Sequence, residues 1–273
     1  LTKNGAGALN LTGANTYSGN TTINAGPLYL TADQASPLYN FTGDSELKLA
    51  DGVDLAADIT TGTDNTGSLT FEGNGTVEGQ IGDDTNALKA VTLNGAAGTT
   101  VTLTGDVYAT DMYVGAGTLE LNGSFYEPVI PNATLIFTAD GFVTLADGKT
   151  IFHDIKTQAG NNTGTLTFEG DGVVSQHIGE DGAALKTINA DGEDTLVDLQ
   201  GDVYANAVNF GADGEVQVGG TANLGTVSNT SGTNDSGTLT LLSDATITGQ
   251  VGALTAYLRS INITNNGDTV LFK

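Results

Sequence analysis

The feature that most constrains this chain is a block of words that returns in order at long intervals. Gly67-Ser-Leu69-Thr-Phe71-Glu72-Gly73 recurs as Gly164-Thr-Leu166-Thr-Phe168-Glu169-Gly170 and again, less completely, as Gly237-Thr-Leu239-Thr-Leu241. From first copy to second the offset is 97 positions, and it also relates Ile81-Gly82 to Ile178-Gly179, Leu88-Lys89 to Leu185-Lys186, and Val91 to Ile188. From second to third it is 73, matching Val251-Gly252, Leu258-Arg259 and Ile261 to the same places. Leu49-Ala-Asp-Gly52 and Gly105-Asp-Val-Tyr-Ala109 return at an offset of 96, as Leu145-Ala-Asp-Gly148 and Gly201-Asp-Val-Tyr-Ala205, so loop length changes by one residue on each side of the central block. A fixed block between variable spacers marks a repeated supersecondary unit of several coils, whose insertions fall in turns.

Within the blocks, apolar residues alternate with polar ones, and Gly, Asn and Asp close each short run. Alternation is strand grammar, and Gly and Asn enter the left-handed turn region cheaply. Candidate strands include Ala8 to Leu11, Thr21 to Ile23, Glu46 to Leu49, Ser68 to Phe71, Val91 to Leu93, Thr99 to Leu103, Thr118 to Leu121, Thr134 to Phe137, Thr165 to Phe168, Thr195 to Leu199, Glu215 to Val218, Thr238 to Leu242, Ile261 to Ile263 and Thr269 to Phe272. A β-sandwich or barrel shows similar strand spacing, but would not be expected to repeat its internal words at these offsets. The chain therefore reads as all-β, a single elongated right-handed parallel β-helix (β-solenoid), with Leu69, Phe71, Leu166, Phe168, Leu239 and Leu241 pointing inward in equivalent coils. At about 20 residues and about 4.8 Å per coil, the rod would be roughly 60 Å long. Ala87 to Val91 and its copies, Ala184 to Ile188 and Tyr257 to Ile261, are the least strand-like parts of the block and suggest a helical turn or wide loop. Ser124 to Pro131, carrying Pro128 and Pro131, suggests a joint between coils.

The first residues carry a second, shorter grammar: Gly5, Gly7, Leu9, Leu11, Gly13, Asn15, Tyr17, Gly19, Thr21, Ile23, Gly26, Leu28. This run resembles the autotransporter-associated β-strand repeat of bacterial surface proteins, with Pro27 where that family more often has Thr or Ser. The longer block, T-L-T-F-E-G-x-G followed by I-G-x-D and L-K-x-[VI], resembles the passenger region of rickettsial outer membrane protein B and related surface cell antigens. The resemblances imply one β-helical passenger over 1–273, with the autotransporter-associated repeat in 1–45 and longer internal repeats in 46–141, 142–214 and 215–273. They also imply a bacterial cell-surface location at the outer membrane's extracellular face, and a role in adhesion to or invasion of host cells. The alternatives are a structural surface-layer coat and a β-helical polysaccharide-degrading enzyme.

Composition narrows the chemistry. The net charge is −24, from 8 Lys plus Arg against 32 Asp plus Glu, which disfavours nucleic acid and anionic lipid as partners. The partners expected are a host cell-surface protein or further copies of the chain. The acidic turns, such as Asp83-Asp84 and Asp191-Gly192-Glu193-Asp194, read as solvated turn chemistry. Without Cys there is neither a disulfide framework nor a thiolate metal site, which suits export across an oxidising periplasm. No apolar run is long enough to span a bilayer, and Leu1 begins in mid-pattern, so a longer protein with its own signal peptide and translocator barrel is expected.

Few residues suggest sites. His153 and His177 are the only histidines; beside Asp154 and Glu180 they could serve as base or ligand, but an isolated His in such a chain is more often a packed or exposed side chain, and His177 stands where other copies have Gln80 and Gln250. A lyase must neutralise a uronate with several cations, and Arg259 is the only arginine, so no enzyme activity and no catalytic residues are expected. No cofactor or dedicated metal site is expected, with only weak adventitious calcium at Asp83-Asp84. Tyr108 and Tyr204, in the repeated Gly-Asp-Val-Tyr word, could contact a partner, although copied words more often keep a turn and a core row.

Overall fold

The computed structural model describes residues 1–126, 133–264, 267 and 269–273. Pairing between strands is parallel, no helix occurs among the described residues, and the chain stacks as a parallel β-solenoid. It divides into two compact units, Leu1–Ile136 and Phe137–Lys273.

In the first unit the coils build three sheets, the second of which begins at Val53. One stacks Leu9–Leu11, Leu28–Leu30, Glu46–Leu49, Ser68–Phe71, Leu88–Leu93 and Val107–Val114; a second stacks Val53–Leu55, Gly75–Val77, Thr100–Leu103 and Thr118–Leu121. The third stacks Thr2–Lys3, Thr21–Ile23, Leu38–Phe41 and Asp58–Thr61, and is extended by Ile81 bridging Ile59 to Val107. Because side chains alternate across a strand, each strand sends every second residue inward. The register then aligns them into rows: Leu28, Leu47, Leu69, Val91 and Met112 form one, and Leu30, Leu49, Phe71, Leu93 and Val114 another. Both rows are buried. Such a core is thin, and stacking coil on coil is what removes it from water.

The second unit repeats the logic. Phe142–Leu145, Thr163–Phe168, Leu185–Ala190, Val203–Phe210 and Ala222–Asn229 follow one another in one sheet; Lys149–Ile151, Gly172–Val174, Leu196–Leu199, Glu215–Val218, Thr238–Leu241 and Ser260–Ile263 form another. Hydrogen bonds to the same place one coil later span 19 to 25 residues. Leu69, Phe71, Leu166, Phe168, Leu239 and Leu241 all point inward. Their coils are not equivalent, however. Within the second unit Thr163–Phe168 lies in one sheet and Thr238–Leu241 in the other, because 73 residues hold three coils and a fraction of a fourth.

Two of the three segments expected to turn are strands, whereas in the third Tyr257 to Arg259 lie outside any strand and only Ser260 and Ile261 begin one. Leu88–Leu93 and Leu185–Ala190 are six-residue strands that bury Leu88, Val91 and Leu93, and Leu185, Ile188 and Ala190. Two successive outward residues, Lys89-Ala90 and Lys186-Thr187, carry each strand around a corner of the coil and break the period of two. The wide loops lie just upstream instead, as a β-bridged lip at Glu180–Ala183 shows. Of the expected joint, Phe125–Tyr126 is a strand, while 127–132 lie outside the described residues.

The acidic residues do more than solvate turns. Asp51 accepts the backbone N–H of Asn74 at 2.8 Å, Asp106 that of Ser124 at 2.9 Å, Asp147 that of Asp171 at 2.8 Å, and Asp202 that of Thr221 at 2.7 Å. Each carboxylate thus caps a donor one coil further on, at corners where the ladder of sheet hydrogen bonds lapses. Asp83 behaves as expected, accepting from Thr85 N, Thr85 Oγ1 and Asn86 N within its own turn.

Candidate functional site

The first coils explain why the N-terminal grammar needs its polar letters. Asn15 Nδ2 donates to Gly13 O and Gln34 Oε1, both at 2.8 Å, while the Tyr17 hydroxyl pairs with Thr21 Oγ1 at 3.0 Å. The hydroxyl of Thr21, a fully buried residue, donates a hydrogen bond to Ser36 Oγ at 2.9 Å. Asn, Tyr and Thr therefore tie a turn to the next coil, a role that apolar residues of the same size could not fill.

Further along, each internal repeat carries a cation that reaches across two coils to an aspartate. Lys89 Nζ lies 2.8 Å from Asp44 and Lys186 Nζ 2.6 Å from Asp140, and Arg259 pairs with Asp213. Asp140 and Asp213 also accept the N–H of Gly164 and Gly237, each at 3.2 Å. This clip occupies the one arginine, and it is absent from a reading of motifs because its partners stand 45 or 46 residues apart.

The two histidines are spent on structure. His153 is only 1% exposed and packs inside. His177 is exposed; its backbone N–H donates to Asp154 Oδ1 at 3.1 Å and its Nδ1 accepts from Asp202 N at 2.9 Å. In the other copies the amides of Gln80 and Gln250 donate instead to the carbonyls of Gly82 and Gly252, at 2.8 and 2.6 Å. Among the described residues no group of three or more His, Asp or Glu is arranged to hold a metal ion.

Tyr108 and Tyr204 sit on the outer side of their strands, with Val107 and Ala109, and Val203 and Ala205, buried on either side. The repeated word thus keeps a core row and also presents a ring. Each ring emerges above a left-handed glycine: a Cβ on Gly82 would fall 3.0 Å from that of Tyr108, and one on Gly179 3.2 Å from that of Tyr204. The surroundings then diverge. Tyr108 stacks on Tyr126 with ring centroids 4.9 Å apart and planes at 10°, an offset arrangement favourable to both rings. Burial, followed by the neighbouring Tyr126 and Asp106, raises the Tyr108 hydroxyl above its ordinary value. Tyr204 instead faces Asn223 in register, and it borders a groove of about 190 Å³ with Glu180, Asp181, Asn161 and Asn206.

Residues 1–30 match the family model of the passenger-associated-transport-repeat. The chain therefore carries, at its start, a repeat of autotransporter passengers, and this repeat runs directly into the solenoid. No curated protein and no solved structure matches the chain.

Proposed function

We propose that the chain is the surface-exposed, non-enzymatic passenger of a bacterial autotransporter, acting in adhesion to or invasion of host cells. The observation that carries this reading is the passenger-associated repeat at residues 1–30 leading into stacked parallel coils. The resemblance of its word order to that of rickettsial outer membrane protein B supports placing it among surface cell antigens on the outer membrane's extracellular face. A solenoid offers area: outward rows along its coils can spread many weak contacts over a host protein, and display in many copies turns them into avidity. Its histidines are committed to packing and to backbone hydrogen bonds, which supports a binding rather than a catalytic role. Tyr108 and Tyr204 are the side chains we assign to partner contact. The second reading is a coat built by self-association of copies of the chain.

Beads coated with the chain test the proposal on cultured host cells, alongside a screen for glycan cleavage. Attachment without cleavage supports adhesion. Ordered self-assembly without attachment supports the coat, and polysaccharide turnover would overturn both.

A further inference from the structure

The two copies of the Gly-Asp-Val-Tyr word differ in one respect that points to a ligand. In the first, the ring of Tyr108 is covered by Tyr126, its register partner one coil on. In the second, the register partner of Tyr204 is Asn223, a short amide, and the place a second ring would take opens into the groove. We propose that this groove binds a neutral sugar ring, stacked on Tyr204 where the first copy stacks Tyr126. The inference deepens the adhesion reading and rests on it for its biological setting, although the binding itself does not.

The remaining walls select the ligand class. Along one side stands the lip Glu180–Ala183, a two-bonded reverse turn in which Glu180 N donates to Ala183 O at 3.2 Å and Ala183 N to Glu180 O at 2.9 Å. Gly179 and Gly182, with φ of 65° and 80°, give the lip its shape. It places the carboxylates of Glu180 and Asp181 at the rim, where neither has an ion pair or a side-chain hydrogen bond among the described residues. In the same groove, Asn206 Nδ2 donates to Asn161 Oδ1 and Leu185 O, both at 3.2 Å, so its amide is already oriented and its carbonyl oxygen remains to accept.

Amide and carboxylate oxygens lining one groove with an aromatic ring fit a ligand with a flat C–H face and a periphery of hydroxyls. An aromatic peptide side chain would meet polar walls that it cannot satisfy, at the cost of leaving their groups desolvated. Uronates and sialic acids are opposed by the two carboxylates and by the net charge of −24. Among sugars, the neutral hexoses and their oligomers remain.

The test is titration of the 273-residue chain with neutral oligosaccharides, followed by NMR of the protein or of the ligand. Saturable binding should weaken about tenfold or more in Tyr204→Ala, persist in Tyr204→Phe, which keeps the ring, and disappear in Asn223→Tyr, which fills the place that Tyr126 takes in the first copy. Loss of the Tyr204→Ala fold leaves Asn223→Tyr as an independent arm. Equal binding of the parent and Asn223→Tyr, or no binding of any neutral sugar by the folded parent, overturns the inference. Cell attachment, measured in parallel, separates the two readings: attachment without sugar binding overturns only the sugar site, and sugar binding without attachment supports the site while overturning adhesion.

Discussion

A Cβ placed on Gly164 would lie 2.5 Å from Cγ of Phe137, a ring with no exposed surface, so the glycine and the phenylalanine are fitted to each other across one coil. Gly164 also has a φ of 80°. The same pairing joins Gly67 to Phe41 and Gly237 to Phe210, with φ of 76° and 84°. Ahead of each glycine, Asn65, Asn162 and Asp235 are left-handed too. Gly164→Ala should therefore cost about 2–4 kcal/mol, combining left-handed strain with overpacking. Gly148, equally left-handed at 70° but with nothing within 4 Å, is the control and should lose only about 1–2 kcal/mol. Denaturant midpoints of the two variants, read against the parent, check the difference; equal losses would mean that the ring does not matter.

Phe168 lies in a buried row between Leu145 and Ala190. Truncation to Ala should destabilise that part of the solenoid by about 3–5 kcal/mol. Since each coil touches chiefly its neighbours, amide exchange should accelerate around residues 164–170 and in the paired strand Leu185–Ala190, while strands several coils away keep their protection. Unchanged exchange at 164–170 would contradict the row.

Acid should act unevenly on the carboxylates. Hydrogen bonds from the backbone and then the side chain of Asn74 hold Asp51 below its ordinary 3.8, and those from Thr85, side chain first and then backbone, and from Asn86 hold Asp83 below it as well. A carboxyl lowered in the folded state contributes stability that is present above its unfolded value and lost as pH falls through its folded one. Partial desolvation raises Asp191, which stays exposed, so its sign is opposite: folding gains as it is protonated and loses as pH rises through its folded value. Between pH 5 and 2, Asp51→Asn should show a shallower acid loss than the parent, whereas Asp191→Asn should melt higher than the parent near pH 7. Melting curves across this range read both.

The Lys186–Asp140 clip is half-exposed, and such pairs are worth about 0.2–1 kcal/mol. Lys186→Met should lose that amount at low salt, and the difference should vanish near 1 M salt, where the screening length is about 3 Å. A loss independent of salt would assign the role to the packing of the lysine stem.

His177→Gln should restore the amide-to-carbonyl bond that Gln80 and Gln250 make, leaving stability within about 0.5 kcal/mol of the parent. A thermal shift beyond that would show that the Nδ1 bond to Asp202 N matters more than the turn.

Strand existence was legible because a strand's period of two leaves its mark on every third of a coil, and turn glycines punctuate it. Corners were not legible. Leu88 and Val91 stand three apart with Lys89 and Ala90 both outward, which reads as a break in a strand and is the bend of one. Carboxylate caps and clips escaped for another reason: Asp51 and Asn74, or Asp140 and Lys186, are neighbours only once coil length is known. Alternation likewise turned Tyr108 and Tyr204 outward, but only the residue one coil on decides which ring is covered, and Tyr126 lies outside the repeated word.

The offset of 73 residues that carries the block from Thr163–Phe168 to Thr238–Leu241 moves it to a different sheet. Duplication here has multiplied bearings, not valency. A partner sliding along one side of the second unit meets each block once, then finds the next copy turned away from it. An antibody or receptor specific for one such word would therefore grip the unit from more than one side, and no two of its footprints would line up along a single edge.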